Sequence, residues 1–124
     1  MSLALDHLVV AARTLDEGVH WCEATFGIAP QAGGRHPSMG THNRVFSLAS
    51  SRFPKAYLEI IAIDPQAAAP GRVRWFDLDA PALQAQLAEG PQLIHWVMRC
   101  DDIDAQCEPW RRIGVDRGEV LAVE

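Results

Sequence analysis

Four histidines, one glutamate and one asparagine carry most of the chemistry this sequence could perform. His7 sits in LDHLVVAA, Glu59 in KAYLEIIAI and His95 in LIHWVMR, each a polar side chain set among aliphatic ones. An ionised carboxylate is seldom buried without a partner. Glu59 therefore requires a metal, a base, water in an open concave sheet, or Arg44 on the neighbouring strand. A histidine on an apolar face is either satisfied by a backbone carbonyl or recruited for acid–base or metal chemistry. For His7 and His95 both remain open at this stage. His36 and His42 lie in a stretch rich in glycine and proline, with Asn43 next in line. They would serve as substrate contacts or an acid–base pair at the mouth of a site, or as solvated loop residues beside turns held by Thr41 and Asn43. Gly33-Gly34 lacks the spacing of a phosphate-binding loop.

The elements that must position these groups follow from periodicity. Residues 5–12 alternate with both faces apolar, which predicts an interior strand. Thr14-Leu15-Asp16-Glu17 is a capping box, and Leu15, Val19, Cys22 and Phe26 then recur on one helical face up to Gly27. A helix is predicted over 15–26. A short strand is expected from Ile28, limited by Pro30, then a loop over 33–40, a strand over 43–49 and a turn over 50–54. Residues 55–63 form the strongest strand pattern, with Tyr57, Glu59, Ile61 and Ile63 sharing a face. Asp79 and Pro81 predict the start of a helix that runs to Gly90. Residues 93–99 read as a strand whose opposite face, Trp96 and Met98, packs on a helix. Asp102 caps a last helix, which Pro109 should bend or break early. Trp75 and Phe76 read as core aromatics.

One unit occurs twice. LDHLVVAARTLDEG lies over LIHWVMRCDDIDAQ, and the offset from His7 to His95 also separates Val9 from Val97 and Thr14 from Asp102. A strand with a central histidine, a capped helix, a glycine and an aliphatic residue recur in that order, and a repeated unit fixes architecture. Carried forward by the same offset, the counterpart of Glu59 falls past Glu124. An incomplete second unit is therefore expected, with at most its second strand around 119–123, or a sheet completed by a second copy of the chain.

Composition narrows the function classes. The chain has 124 residues, 48% of them apolar and 22% charged, which fits one globular domain. A net charge of −5 and the lack of any basic run argue against nucleic acid or an anionic membrane as the main partner. The apolar runs are too short to span a bilayer, and no signal pattern precedes them. The three cysteines, none in a CxxC pair, suit reduced thiols in a cytoplasmic protein.

A βαβββ unit used twice, with histidine on the first strand and glutamate on the last, resembles the vicinal oxygen chelate superfamily. That group includes glyoxalase I, extradiol dioxygenases, epimerases and fosfomycin- or bleomycin-resistance proteins. More narrowly, LDHLVVA, GGRHPSMGTHNRVFSL, YLEIIAIDP and LIHWVMR resemble the bacterial glyoxalase-like domain family over residues 5–115. The resemblance implies a single α+β domain of paired βαβββ modules: the first over about 4–64, a connector over about 65–91, and an incomplete second from about 92 to 124. It also implies a divalent cation (Fe, Mn, Ni or Zn) held by His7, Glu59 and His95, with the fourth ligand beyond the end of the chain. Glu59 would double as the catalytic proton carrier, and His36, His42 and Asn43 would meet a small-molecule substrate. The implied activity is that of a lyase, isomerase or dioxygenase in which the metal stabilises an enolate or oxyanion. The alternative is a metal-free protein of bleomycin-resistance type that sequesters its ligand in the same cup.

Overall fold

The structure is a computed structural model that describes residues 3–122. Its elements are β1 (Leu3–Ala11), α1 (Leu15–Phe26), β2 (Gln31–His36), β3 (Thr41–Ser47), β4 (Tyr57–Ile63), a 3-10 turn (Trp75–Asp77), α2 (Pro81–Leu87), β5 (Gln92–Cys100) and α3 (Ile103–Arg112). The strands form one sheet in the order β2-β3-β4-β1-β5. β1 runs parallel to β4 and antiparallel to β5, and β3 is antiparallel to both its neighbours. A parallel pair needs a crossover longer than a hairpin. Here α1 and the β2–β3 hairpin supply it.

α1 begins where Thr14 accepts the Glu17 amide at 3.2 Å. It ends at Gly27, whose left-handed φ of 67 lets its N–H reach the Glu23 carbonyl. Glu17 does not complete the capping box, because its carboxylate pairs with Arg13. The helix lies close on the sheet: a Cβ on Gly18 would stand 2.4 Å from Ile60 Cγ2. Beneath it Val10, Phe46, Leu58, Ile60 and Ala62 form one core with Leu15 and Cys22. The other face of the sheet carries a second core, in which Val9, Ala11 and Ile61 meet Leu78, Leu87, Trp75 and Phe76 from the connector. Each such aliphatic side chain contributes about 1.5–3 kcal/mol when fully buried. The connector thus closes one end of that face and leaves the other end to polar residues.

Several expected details differ. Gly33 to His36 belong to β2, which starts at Gln31 and pairs with β3, so they are strand and not loop. Glycine hides the alternation that marks a strand. Asp79 does not cap α2: Ala80 holds that position, and the Asp79 carboxylate takes the amide and guanidinium of Arg74 at 3.0 and 2.7 Å. Pro109 removes one donor, yet α3 continues through it from Ile103 to Arg112. Trp96 and Met98 are exposed, not packed on a helix; Trp96 keeps 70% of its surface. Residues 115–122 hold no regular element. The expected second strand of a repeated unit is therefore not formed over its described part, and Val123 lies outside the described residues.

Candidate active site

The site is built on the face opposite α1, from the four strands β2, β3, β4 and β1. Side chains alternate along a strand, so His7 shares its face with Val9 and Ala11, and Glu59 shares its face with Tyr57 and Ile61. Parallel pairing sets Val9 beside Glu59 and His7 beside Tyr57. His7 Nε2 then stands 3.4 Å from Glu59 Oε1. On the far side of the ring, Nδ1 meets Asp6 Oδ2 at 2.6 Å. The Tyr57 ring stacks on the imidazole.

Period two would send Asp6 to the opposite face from His7. A register shift between Leu5 and His7 in the β1–β5 ladder interrupts that alternation and brings its carboxylate back to the ring. Arg99 from β5 anchors the same carboxylate at 3.4 Å. This is the arrangement that fixes a histidine tautomer: the carboxylate holds Nδ1–H and turns Nε2 toward the working group.

Glu59 is 5% exposed. Its second oxygen, Oε2, accepts a hydrogen bond from Asn43 Nδ2 at 2.6 Å. Burial alone would push this carboxyl up, but the hydrogen bonds of His7 and Asn43 with the His7 charge hold it below the ordinary value. Burial would likewise push His7 down, and its bonds and charge contacts with Glu59 and Asp6 carry it up instead. Each group supports the charge on the other. Arg44, one of the partners considered for Glu59, instead donates to the Asn43 carbonyl at 3.3 Å.

The histidines expected at the mouth separate. His36 joins the site face: Nδ1 lies 2.9 Å from Thr41 Oγ1 and Nε2 lies 3.4 Å from Asn43 Nδ2. His42 pairs across to Ala62, which belongs to the core under α1, and so occupies the opposite face. There burial lowers its pKa, only partly offset by Asp64.

His95 occupies the site face on β5, directly across β1 from Glu59, since Val9 pairs with both. Adjacent strands lie about 4.8 Å apart, so about 10 Å separates the two backbones. Its ring rests against Phe76, centroids 5.1 Å apart, and Trp75 stands edge-on to His36 at 5.1 Å. Trp75 and Phe76, in contact with each other, therefore link the two histidines on this face. Phe76 does so from a left-handed backbone, φ 58. Among the described residues no three His, Cys, Asp or Glu side chains gather so as to hold one ion; His7 and Glu59 form a pair without His95.

Asp6, Tyr57, Trp75 and Phe76 were not singled out as site residues by sequence. Only Trp75-Phe76 offered a signal, two aromatics in a polar stretch.

The Glyoxalase-like domain family matches residues 5–124. The chain belongs to this family. Solved structures agree with the fold of this glyoxalase-like domain. A methylmalonyl-CoA epimerase variant from Streptomyces coelicolor, in complex with 2-nitronate-propionyl-CoA, aligns with a TM-score of 0.62 and 22% identity over 93% of this chain and 75% of that one. Methylmalonyl-CoA epimerase from Mycobacterium tuberculosis aligns at 0.56 and 21% over 90% and 64%. A hypothetical protein from Bacillus halodurans aligns at 0.60 and 12% over 92% and 70%. These identities carry the fold and nothing finer. No curated protein matches the chain.

Proposed function

We propose that this glyoxalase-like domain is a metal-dependent enzyme acting on a small carbonyl compound, with His7 and Glu59 as the working pair. The observation that carries this is the 3.4 Å approach of His7 Nε2 to Glu59 Oε1, in a buried setting, with Asp6 on the far nitrogen. The donor set fits a divalent cation (Fe, Mn, Ni or Zn): an imidazole nitrogen with its other N–H on a carboxylate, and a carboxylate oxygen beside it. Such an ion would polarise a substrate carbonyl and favour charge on its oxygen. Glu59, held ionised, is the group suited to take a proton from the carbon next to that carbonyl. Trp75 and Phe76 would orient the substrate and keep water from it.

Isomerisation by proton transfer is the preferred reaction, because neighbours of this fold are epimerases, one of them in complex with methylmalonyl-CoA. Lyase or dioxygenase chemistry would use the same pair. A second reading, metal-free sequestration of an apolar ligand, is favoured by one observation: the His95 ring packs on Phe76, and among the described residues no three ligating side chains gather at one point. We further place the protein in the cytoplasm, where Cys22, Cys100 and Cys107, free in the structure, stay reduced. Pairing of two copies along β5, an edge strand carrying exposed Leu93 and Trp96, would complete the sheet.

The deciding experiment couples metal titration with proton exchange. Wild type and Glu59→Gln are titrated with Co(II), Ni(II), Mn(II) and Zn(II), and deuterium uptake at the α-carbon of a carbonyl substrate such as methylmalonyl-CoA is followed by NMR. Uptake of about one ion per chain, with exchange lost in Glu59→Gln, is expected. Ligand binding with neither metal uptake nor exchange would select sequestration. Light scattering that finds only monomer would remove the paired sheet.

A further inference from the structure

Asn43 is buried, and both ends of its amide are engaged. Oδ1 accepts the Gly34 amide at 2.8 Å, and Nδ2 donates to Glu59 Oε2 at 2.6 Å. A backbone N–H only donates, so the atom facing Gly34 must be the oxygen and the NH2 must face Glu59. The remaining Nδ2 hydrogen lies toward His36 Nε2 at 3.4 Å, which leaves His36 its proton on Nδ1, where Thr41 Oγ1 stands at 2.9 Å. One backbone donor thus sets the direction of every hydrogen bond in the chain from β2 to β4.

The β2 backbone is shaped for this. The β2–β3 ladder shifts register between Ala32 and Arg35, so Gly33 and Gly34 bulge toward Asn43. A Cβ on Gly33 would lie 2.0 Å from Asn43 Oδ1 and 2.6 Å from its carbonyl oxygen. Only glycine lets the strand come this close.

We propose that Asn43 is a positioning residue and does not meet substrate: it ties down Glu59 Oε2 and leaves Oε1, the oxygen that faces His7, to hold a cation or carry a proton. This rests on His7 and Glu59 being the working pair. It gives Asn43 a role other than the substrate contact expected from the sequence, since its polar atoms already have partners.

The test uses two readouts on wild type, Asn43→Ala, Asn43→Asp and Gly33→Ala. Titration with Co(II), followed by calorimetry and the visible spectrum, should show about tenfold weaker binding in Asn43→Ala, the size usual for a group that orients a metal ligand. Gly33→Ala, which touches neither Glu59 nor His7, should weaken it in the same direction. Imidazole 15N NMR should show the Nδ1–H form of His36 in wild type and a mixture in Asn43→Ala. Asn43→Asp keeps the volume and removes the donor, so it answers for Asn43→Ala should that variant fail to fold. Wild-type Co(II) affinity together with an unchanged His36 pattern in the Asn43 variants overturns the proposal. Should wild type take up no Co(II), the metal-enzyme reading falls, and the His36 pattern alone decides: altered, it upholds the positioning role; unaltered, it ends it.

Discussion

The ring of Tyr57 lies almost flat on that of His7, centroids 4.5 Å apart and planes 12° from parallel. The two are direct partners in the parallel β1–β4 ladder. Burial, the charges of Asp6 and Glu59, and a hydrogen bond to Asp6 push the Tyr57 phenol up to about 12, so it stays neutral across the working range. Tyr57→Phe keeps the stack and loses one hydrogen bond, at a cost of about 0.5–1.5 kcal/mol. Tyr57→Leu loses the stack as well, a further 0.5–1.5 kcal/mol or so. Urea denaturation that ranks the two variants equally would show that the stacking contributes nothing.

Stability should peak in mildly acidic solution. Glu59 is held below its ordinary 4.5, so its contribution is present above that pH and fades as acid carries the solution down through its folded value. His7 is raised above 6.5, so its contribution is full below that pH and fades as pH climbs through its folded value. The window with both terms intact runs from about 4.5 to 6.5. Chemical denaturation from pH 3 to 9 should show this dome and a flatter profile in Glu59→Gln; identical profiles would contradict the coupling.

Asp6 should matter beyond its own charge. Asp6→Asn cannot hold His7 Nδ1–H in the same way, and divalent-cation affinity should drop about tenfold or more. Calorimetric titration with Zn(II) measures it directly, and an unchanged constant would mean that the His7 ring is oriented by the Tyr57 stack alone.

Two backbone positions offer tests of packing and strain. Gly18→Ala drives a methyl against Ile60 and Ala12, and should destabilise by about 1–3 kcal/mol as α1 is lifted from the sheet. Asp77→Gly works in the other direction. Asp77 holds a left-handed φ of 57 with an exposed side chain, and relieving it should raise stability by about 1 kcal/mol. Thermal melts of the two variants should move apart from wild type on opposite sides.

Much of this fold was legible in the sequence because most elements carry their own local signal. Apolar alternation in β1 and β4, the Thr14 cap and Gly27 each report on a few neighbouring residues, and each is where the pattern set it. His7 and Glu59 were legible for the same reason, as polar interruptions of apolar strands. Asp6 was not, since its reach to His7 depends on a register shift against β5 that strand alternation cannot foretell. Nor was the seat of Asn43, because glycine strands show no periodicity and the Gly34 bond exists only once β2 and β3 pair. His42 was misplaced for a related reason: it lies in a strand, where one step along the chain reverses the face, and not in a loop free to turn either way.

The position of β1 in the sheet has one more consequence. It precedes both β4 and β5 along the chain, yet it lies between them. During synthesis it must therefore wait, unpaired and strongly apolar, until Tyr57–Ile63 has emerged. Contacts so distant along the chain form slowly and leave sticky edges open meanwhile. Newly made protein should thus depend on chaperones, and yield on expression should respond to temperature before activity does.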